Sequence, residues 1–469
     1  MRSRSIAAEV AAAAEATALA QPEPAGSAAA TRSGRNPVHD VVGVGIGPFN
    51  LGMACLGEPL EGFDAVFLDE SSGFSWHPGL MLDDATIQVP FLADLVSMAD
   101  PTSSYSFLNW LKETSRLYPF YIRESFHPLR AEFDAYCRWA VERLSCLRWG
   151  RRVERIEYDP AADLFEVTAW TWQGVELYWG RNVVIGIGTA PEVPAPLAGM
   201  GGPAVHSEHY LDLASGRREE LFHQGTTMVL GSGQSAAEVF LDLISAPQRA
   251  ARVEWVTRSP RFFAMDDTKL TLEMTSPEYT DHFHSLPEDL RDRLGREQRG
   301  LYKGISAELI DRIHEELYRQ SLAGDPDVGL FTEEEAIEGT WDEQRQQYQL
   351  LFQHQQLGTF RQRAADRLVL ATGYSARDPH FLEPVEHLVE RDAAGRLSVA
   401  RDYSVDTLGG RIFVQNAEEH THGLTAPDLG MGAWRNSSIL ASVLGREPYR
   451  LERRIAFQSF GEQPAEVTV

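Results

Sequence analysis

Val42-Gly43-Val44-Gly45-Ile46-Gly47-Pro48-Phe49-Asn50-Leu51-Gly52 is the stretch that decides the fold. Asp40 to Val44 reads as a short buried strand, and Asn50 to Cys55 as the start of a helix. Glycines between a strand and a helix let a pyrophosphate approach the backbone at the positive helix end. Gly43, Gly45 and Gly47 supply that turn, and Pro48 stands where the generic dinucleotide fingerprint has glycine. A second strand, Ala65 to Leu68, runs into Asp69 and Glu70. An acidic residue about 20 residues after the glycines is placed to hold a ribose hydroxyl.

The pattern recurs far downstream. Thr227 to Leu230 leads into Gly231-Ser232-Gly233-Gln234-Ser235, and Ala236 to Ile244 reads as the following helix. The next strand, Val253 to Val256, is followed by Thr257-Arg258-Ser259. Arg258 therefore occupies the strand end where the first motif carries a carboxylate. An arginine pairs with a 2′-phosphate that a carboxylate would repel. The second site is thus expected to take NADPH, and the first FAD. A third apolar strand, Arg367 to Leu370, ends in Ala371-Thr372-Gly373-Tyr374, with an earlier counterpart at 183–189. Thr372 and Gly373 are either cofactor contacts or a tight strand exit.

The rest of the chain narrows the choices. Its 469 residues allow two or three domains. A net charge of −25 argues against nucleic acid as a partner. No apolar run approaches the roughly 20 residues of a membrane span. Three cysteines, Cys55, Cys137 and Cys146, form no CxxC and no metal spacing, which fits a cytoplasmic location. Residues 1–37 are Ala-, Pro- and Ser-rich without aromatics, and Glu9 and Glu15 interrupt any signal-like apolar run, so a disordered tail is expected.

The chain resembles the flavin-dependent N-hydroxylating monooxygenases of siderophore biosynthesis. The likeness rests on the first glycine stretch (42–52), FSWHPG (74–79), IQVPFLADLV (87–96), ADPTSSYSFLNWL (99–111), VLGSGQSAAE (229–238), LATGY (370–374) and QNAEEHTHGL (415–424). GxGxxP is the usual form of the first turn there. The resemblance implies that NADPH reduces FAD, that O2 forms a C4a-hydroperoxyflavin, and that a neutral amine takes its distal oxygen. It also places Trp76, His77 and Gln88 along the flavin, and it implies a homo-oligomer. No protein nucleophile or metal is called for, because the cofactor carries the chemistry.

Ala93 bears on the substrate. Amino-acid hydroxylases of this family read FLKDL where this chain has Phe91-Leu92-Ala93-Asp94-Leu95, and the lysine of the ornithine enzymes pairs with the α-carboxylate. Leu272 stands where those enzymes place an asparagine at the amino-acid end. A buried carboxylate without partners costs several kcal/mol. A diamine, putrescine or cadaverine, is therefore the expected substrate, with Asp266, Asp267 and Glu273 as partners for its far ammonium. The alternative is an L-lysine N6- or L-ornithine N5-monooxygenase in which Arg123, Arg130 or Lys303 has taken over the carboxylate. Another class of flavin monooxygenase and a non-catalytic flavoprotein are further readings.

The expected architecture is α/β, with two doubly wound Rossmann-like dinucleotide-binding domains. The FAD domain spans 38–205 and 367–469, and the NADPH domain 206–366, with a helical substrate region near 275–320.

Overall fold

A computed structural model describes residues 37–211, 225–246, 252–377 and 379–461. The expected tail lies outside the described residues, apart from Pro37. The first sheet has the order β3-β2-β1-β6-β5-β4, with β17 also pairing with β6. Its strands are β1 (Val38–Val44), β2 (Ala65–Asp69), β3 (Leu147–Trp149), β4 (Arg152–Asp159), β5 (Leu164–Thr171), β6 (Gly174–Ile185) and β17 (Ile412–Val414). β1 runs parallel to β2 and β6, and helix α1 (Pro48–Gly57) follows it. Val41, Val42 and Val44 are all buried, as a parallel strand covered on both faces requires. β5 instead alternates, with Phe165, Val167 and Ala169 inward, because it lies in an antiparallel excursion with β4 and β6.

The second sheet is all parallel, in the order β11-β10-β9-β15-β8. It comprises β8 (Val205–His206), β9 (Thr226–Leu230), β10 (Arg252–Val256), β11 (Val328–Phe331) and β15 (Arg367–Leu370). A three-stranded antiparallel meander, β12 (Glu334–Asp342), β13 (Gln347–His354) and β14 (Phe360–Ala365), precedes β15. The boundary expected at 366/367 is displaced. Arg367–Leu370 pairs with β9 rather than opening the return to the first half. That return begins after Leu370. The two passages between the halves run side by side as an antiparallel ribbon of β7 (Thr189–Pro191) and β16 (Tyr374–Ala376).

Helix α2 (Arg130–Val141) packs with α1 on the first half, and α3 (Gln234–Ser245) follows β9 in the second. The helical region holds α4 (Lys269–Leu272), α5 (Pro277–Ser285) and α6 (Ala307–Ser321), among others. α6 packs on α3 through Leu309 and Ile313. Helix α7 (Gly432–Leu444) lies against α1.

Candidate functional site

The first glycine turn is held mostly by its own protein. Gly45 has φ +89, and a Cβ there would stand 2.3 Å from the Gly186 carbonyl oxygen. Its smallness is thus demanded by the exit of β6. Gly47 differs: its backbone is extended, and a Cβ would meet nothing within 4 Å. Gly47 caps α1 without a side-chain bond, and Pro48 follows it. The open space beside this uncapped helix end is what a phosphate group would fill. Asn50, fully buried, ties the turn together. Its amide donates to the Gly45 and Val44 carbonyls at 2.8 and 3.2 Å and accepts from Gln415 at 2.6 Å.

Asp69 is not free as its spacing implied. One carboxylate oxygen accepts the Ile46 N–H at 2.7 Å, and the other accepts the Ser71 N–H and hydroxyl. It shapes the turn from the end of β2. Glu70, with Arg377 at 3.8 Å, is the exposed carboxylate next to that strand end.

FSWHPG forms a tight turn in which His77 adopts φ 49. Trp76 packs edge-on to His77 and tilted on Phe133, with both ring-centroid distances 4.8 Å. Loss of hydration, and then the Arg130 guanidinium, push the His77 pKa down to about 4, although the residue as a whole is exposed. His77 is neutral at pH 7. Gln88 carries a buried side-chain NH2 without a hydrogen-bond partner among the described residues. An unpaired buried donor calls for an acceptor, and a flavin carbonyl or ring nitrogen is one. These features fit FAD.

The second turn repeats the logic. Gly231 has φ +152, and a Cβ there would stand 2.1 Å from the Ala371 carbonyl. Gly233 caps α3 with no side-chain bond. Ser232 and Ser235 flank it, both half-buried. Gln234, expected at the nucleotide, is engaged with protein: it accepts the Ser306 N–H at 2.9 Å and donates to Glu238 at 3.0 Å. Arg258 projects into solvent beyond β10, with Glu335 no nearer than 3.7 Å. A loosely partnered arginine beside an uncapped glycine turn fits the 2′-phosphate of NADPH. Thr372 and Gly373 serve the crossover. Thr372 donates to the Glu192 carbonyl, and the Gly373 carbonyl accepts the Glu192 N–H at 2.9 Å.

The substrate candidates separate. Ala93 is buried, and a Cβ on Gly430 would lie 3.8 Å from its methyl. It immediately precedes Asp94 and Leu95, which with Pro48, Phe49, Leu429 and Asn436 line a small cavity of about 10 Å³ beside the start of α1. Leu272 is half-exposed at the end of α4. Asp266 and Asp267 are exposed, and Asp266 accepts from Thr271 at 3.3 Å. Glu273 is committed elsewhere: one oxygen accepts the Gln458 N–H and side-chain amide, each at 3.0 Å. It fastens the C-terminal segment instead of waiting for an ammonium. Each cation weighed as a relocated carboxylate anchor is also engaged. Arg130 pairs with Glu238, Lys303 with Glu419 at 2.8 Å, and Arg123 donates to the His127 carbonyl at 2.7 Å.

Sequence reading missed Asn50, Gln415 and Glu238. Asn50 had a signal, a polar residue inside an otherwise apolar helix start. No helix among the described residues is long and apolar enough to cross a membrane, and no group of metal-ligating side chains is found there.

Two uncapped glycine turns, each between a parallel strand and a helix, with an unpaired buried donor at Gln88, define a two-dinucleotide flavoprotein. Comparison with known proteins makes this specific. Residues 37–376 match the L-lysine 6-monooxygenase/L-ornithine 5-monooxygenase family, and the chain belongs to it. It is 43% identical over 428 residues to a putrescine N-hydroxylase of Shewanella oneidensis, covering 90% of this chain and 84% of that one. A crystal structure of the cadaverine monooxygenase of desferrioxamine biosynthesis from Erwinia amylovora, bound to FAD, is 44% identical. It superposes with a TM-score of 0.88 over 92% of this chain and all of that one. An ornithine N-hydroxylase from Kutzneria, with reduced FAD, NADP+ and L-ornithine, is 29% identical with a TM-score of 0.80, covering 87% of this chain and 99% of that one.

Proposed function

We propose that this chain N-hydroxylates one amine of a diamine, putrescine or cadaverine, with FAD, NADPH and O2, and so supplies hydroxylamine for hydroxamate siderophores. The observation that carries this is Ala93: buried and apolar where amino-acid hydroxylases of the family carry a lysine, with Arg123, Arg130 and Lys303 all engaged elsewhere. An α-carboxylate would lie there unpaired. The relatives named for putrescine and cadaverine support the same reading.

Bound FAD, reduced by NADPH, supplies the oxygen-activating chemistry. The chain supplies placement. Gly47 and the first turn of α1 receive the FAD pyrophosphate, and Asn50 and Asp69 hold that turn rigid. Gln88 would donate to the flavin, and Trp76 and neutral His77 would lie along it. Gly233 and the start of α3 receive the NADPH pyrophosphate, with Arg258 on its 2′-phosphate. A cytoplasmic location is the natural setting, given unpaired Cys55, Cys137 and Cys146. A homo-oligomer is supported by the exposed face of Tyr118, Tyr121 and Ile122.

The test is a panel of amines with purified protein, FAD and NADPH, scoring hydroxylamine formed per NADPH consumed. Diamine-stimulated, coupled turnover is expected. Efficient turnover of L-lysine or L-ornithine with none of the diamines would replace this reading by the amino-acid one.

Arg258 gives a separate prediction. A charged hydrogen bond to phosphate contributes about 1.5–3 kcal/mol, so Arg258→Ala should raise the KM for NADPH about 10- to 100-fold and leave NADH use nearly unchanged. Equal losses with both cofactors would remove Arg258 from the 2′-phosphate.

A further inference from the structure

Arg130 and Glu238 are 108 residues apart in sequence and form a buried two-pronged pair. Arg130 opens α2 on the first half, and Glu238 sits one turn into α3, the helix that follows the second glycine turn. The two contacts measure 3.0 and 2.8 Å, and the side chains are 11% and 5% exposed. Each partner carries a second bond toward a cofactor turn. Arg130 also donates to the carbonyl of Leu80, the residue that follows FSWHPG. Glu238 also accepts from Gln234, which in turn accepts the Ser306 N–H. One chain of polar contacts therefore runs from the flavin-side turn to the nicotinamide-side turn. The apolar packing follows the same line. Leu80 lies in the core of the second half, with Val239, Phe240 and Tyr210. Gly79 is pressed so closely on the Glu208 backbone that a Cβ would stand 1.6 Å from its carbonyl oxygen.

Stability alone does not explain a charged pair at this place. A buried ion pair is often no more stabilising than an apolar pair of the same volume. What an arginine fork adds is direction, because two parallel bonds fix the carboxylate in the plane of the guanidinium. The fork here joins two rigid helices whose N-termini belong to different halves. The chain passes between those halves along the narrow β7–β16 ribbon.

We infer that Arg130 and Glu238 are positioning residues that set α3, and with it the nicotinamide dinucleotide, at a fixed angle to the flavin-side turn. They govern hydride transfer from NADPH to the flavin. Neither touches the amine.

Three variants test this: Glu238→Gln, Arg130→Lys, and the double Arg130→Met/Glu238→Met. Arg130→Lys keeps the charge and gives up the fork. The double variant removes both charges together, so no lone ion is left buried to unfold the protein. Each is measured for FAD content, melting temperature and NADP+ dissociation constant by calorimetry. The rate of flavin bleaching at saturating NADPH without oxygen, hydroxylamine formed per NADPH, and small-angle scattering of the FAD-loaded protein complete the set. The double variant is expected to melt near the wild type, keep its FAD and bind NADP+ within about threefold. Its flavin reduction should slow at least tenfold, its coupling should fall, and its scattering should show a wider spread of shapes. Arg130→Lys and Glu238→Gln should show the same slowing to a smaller degree. A folded double variant with wild-type reduction rate and coupling overturns the inference. So does a slowing that vanishes once NADPH is raised, since that would make the pair a binding contact only.

Discussion

A Gly47→Val protein is expected to fold normally and to be colourless. The backbone at Gly47 is extended, which valine adopts without strain, and a Cβ there meets no protein atom within 4 Å. The space it would fill is the one at the uncapped start of α1. The apoprotein should therefore lose little stability, about 1 kcal/mol from the poorer helix cap. FAD retention should fall by orders of magnitude, because a branched side chain stands between the phosphates and the first-turn N–H groups. The measurements are flavin absorbance per mole of purified protein and the rise in melting temperature on adding FAD, which should disappear. Gly45→Val should behave differently. Its φ of +89 and the Gly186 carbonyl 2.3 Å from the new Cβ predict a misfolded or strongly destabilised chain. A yellow, active Gly47→Val protein would show that the FAD pyrophosphate does not lie at this turn.

The contrast between these glycines marks what sequence can and cannot convey. Both glycine turns were legible because a strand, a glycine run and a helix are contiguous, so local pattern carries them. Which glycine answers to protein and which to ligand was not, because Gly186 is far away in sequence. Asp69 shows the same limit. Spacing placed a carboxylate at the end of β2, and only the fold shows that it accepts Ile46 N–H and leaves Glu70 outward. Arg367–Leu370 was read correctly as a strand, yet its sheet was misassigned. A parallel strand carries no local mark of its partner, and the intervening meander hid that β15 returns beside β9. Glu273 was read as an ammonium partner from its charge, and it is used by Gln458, far away in sequence. The Arg130–Glu238 pair had no sequence signal of any kind. Arg130 even entered as a rival substrate anchor, and its partner removes it from that role.

That removal sharpens the expectation for Ala93. The wild-type protein should hydroxylate putrescine or cadaverine with kcat/KM at least about 100-fold above L-ornithine or L-lysine. An unpaired buried polar group costs at least about 2–3 kcal/mol, and each 1.4 kcal/mol is about tenfold. Between the two diamines the difference is one methylene, about 1–3 kcal/mol in an apolar pocket, so the panel decides which fits. Ala93→Lys should close the gap from both sides. The new ammonium offers the α-carboxylate a partner, and it repels the far ammonium of a diamine. Diamine kcat/KM should fall at least tenfold, and that for an amino acid should rise. The flavin spectrum and melting temperature are read beside the kinetics, because Ala93 is buried and the neighbouring cavity is small. These readouts distinguish a changed substrate contact from a damaged fold. If Ala93→Lys leaves both substrate classes unchanged while the protein stays yellow and folded, Ala93 does not face the carboxylate position. If the wild type already prefers an amino acid, the anchor lies with a cation outside Arg123, Arg130 and Lys303, or one of those pairs opens when substrate binds.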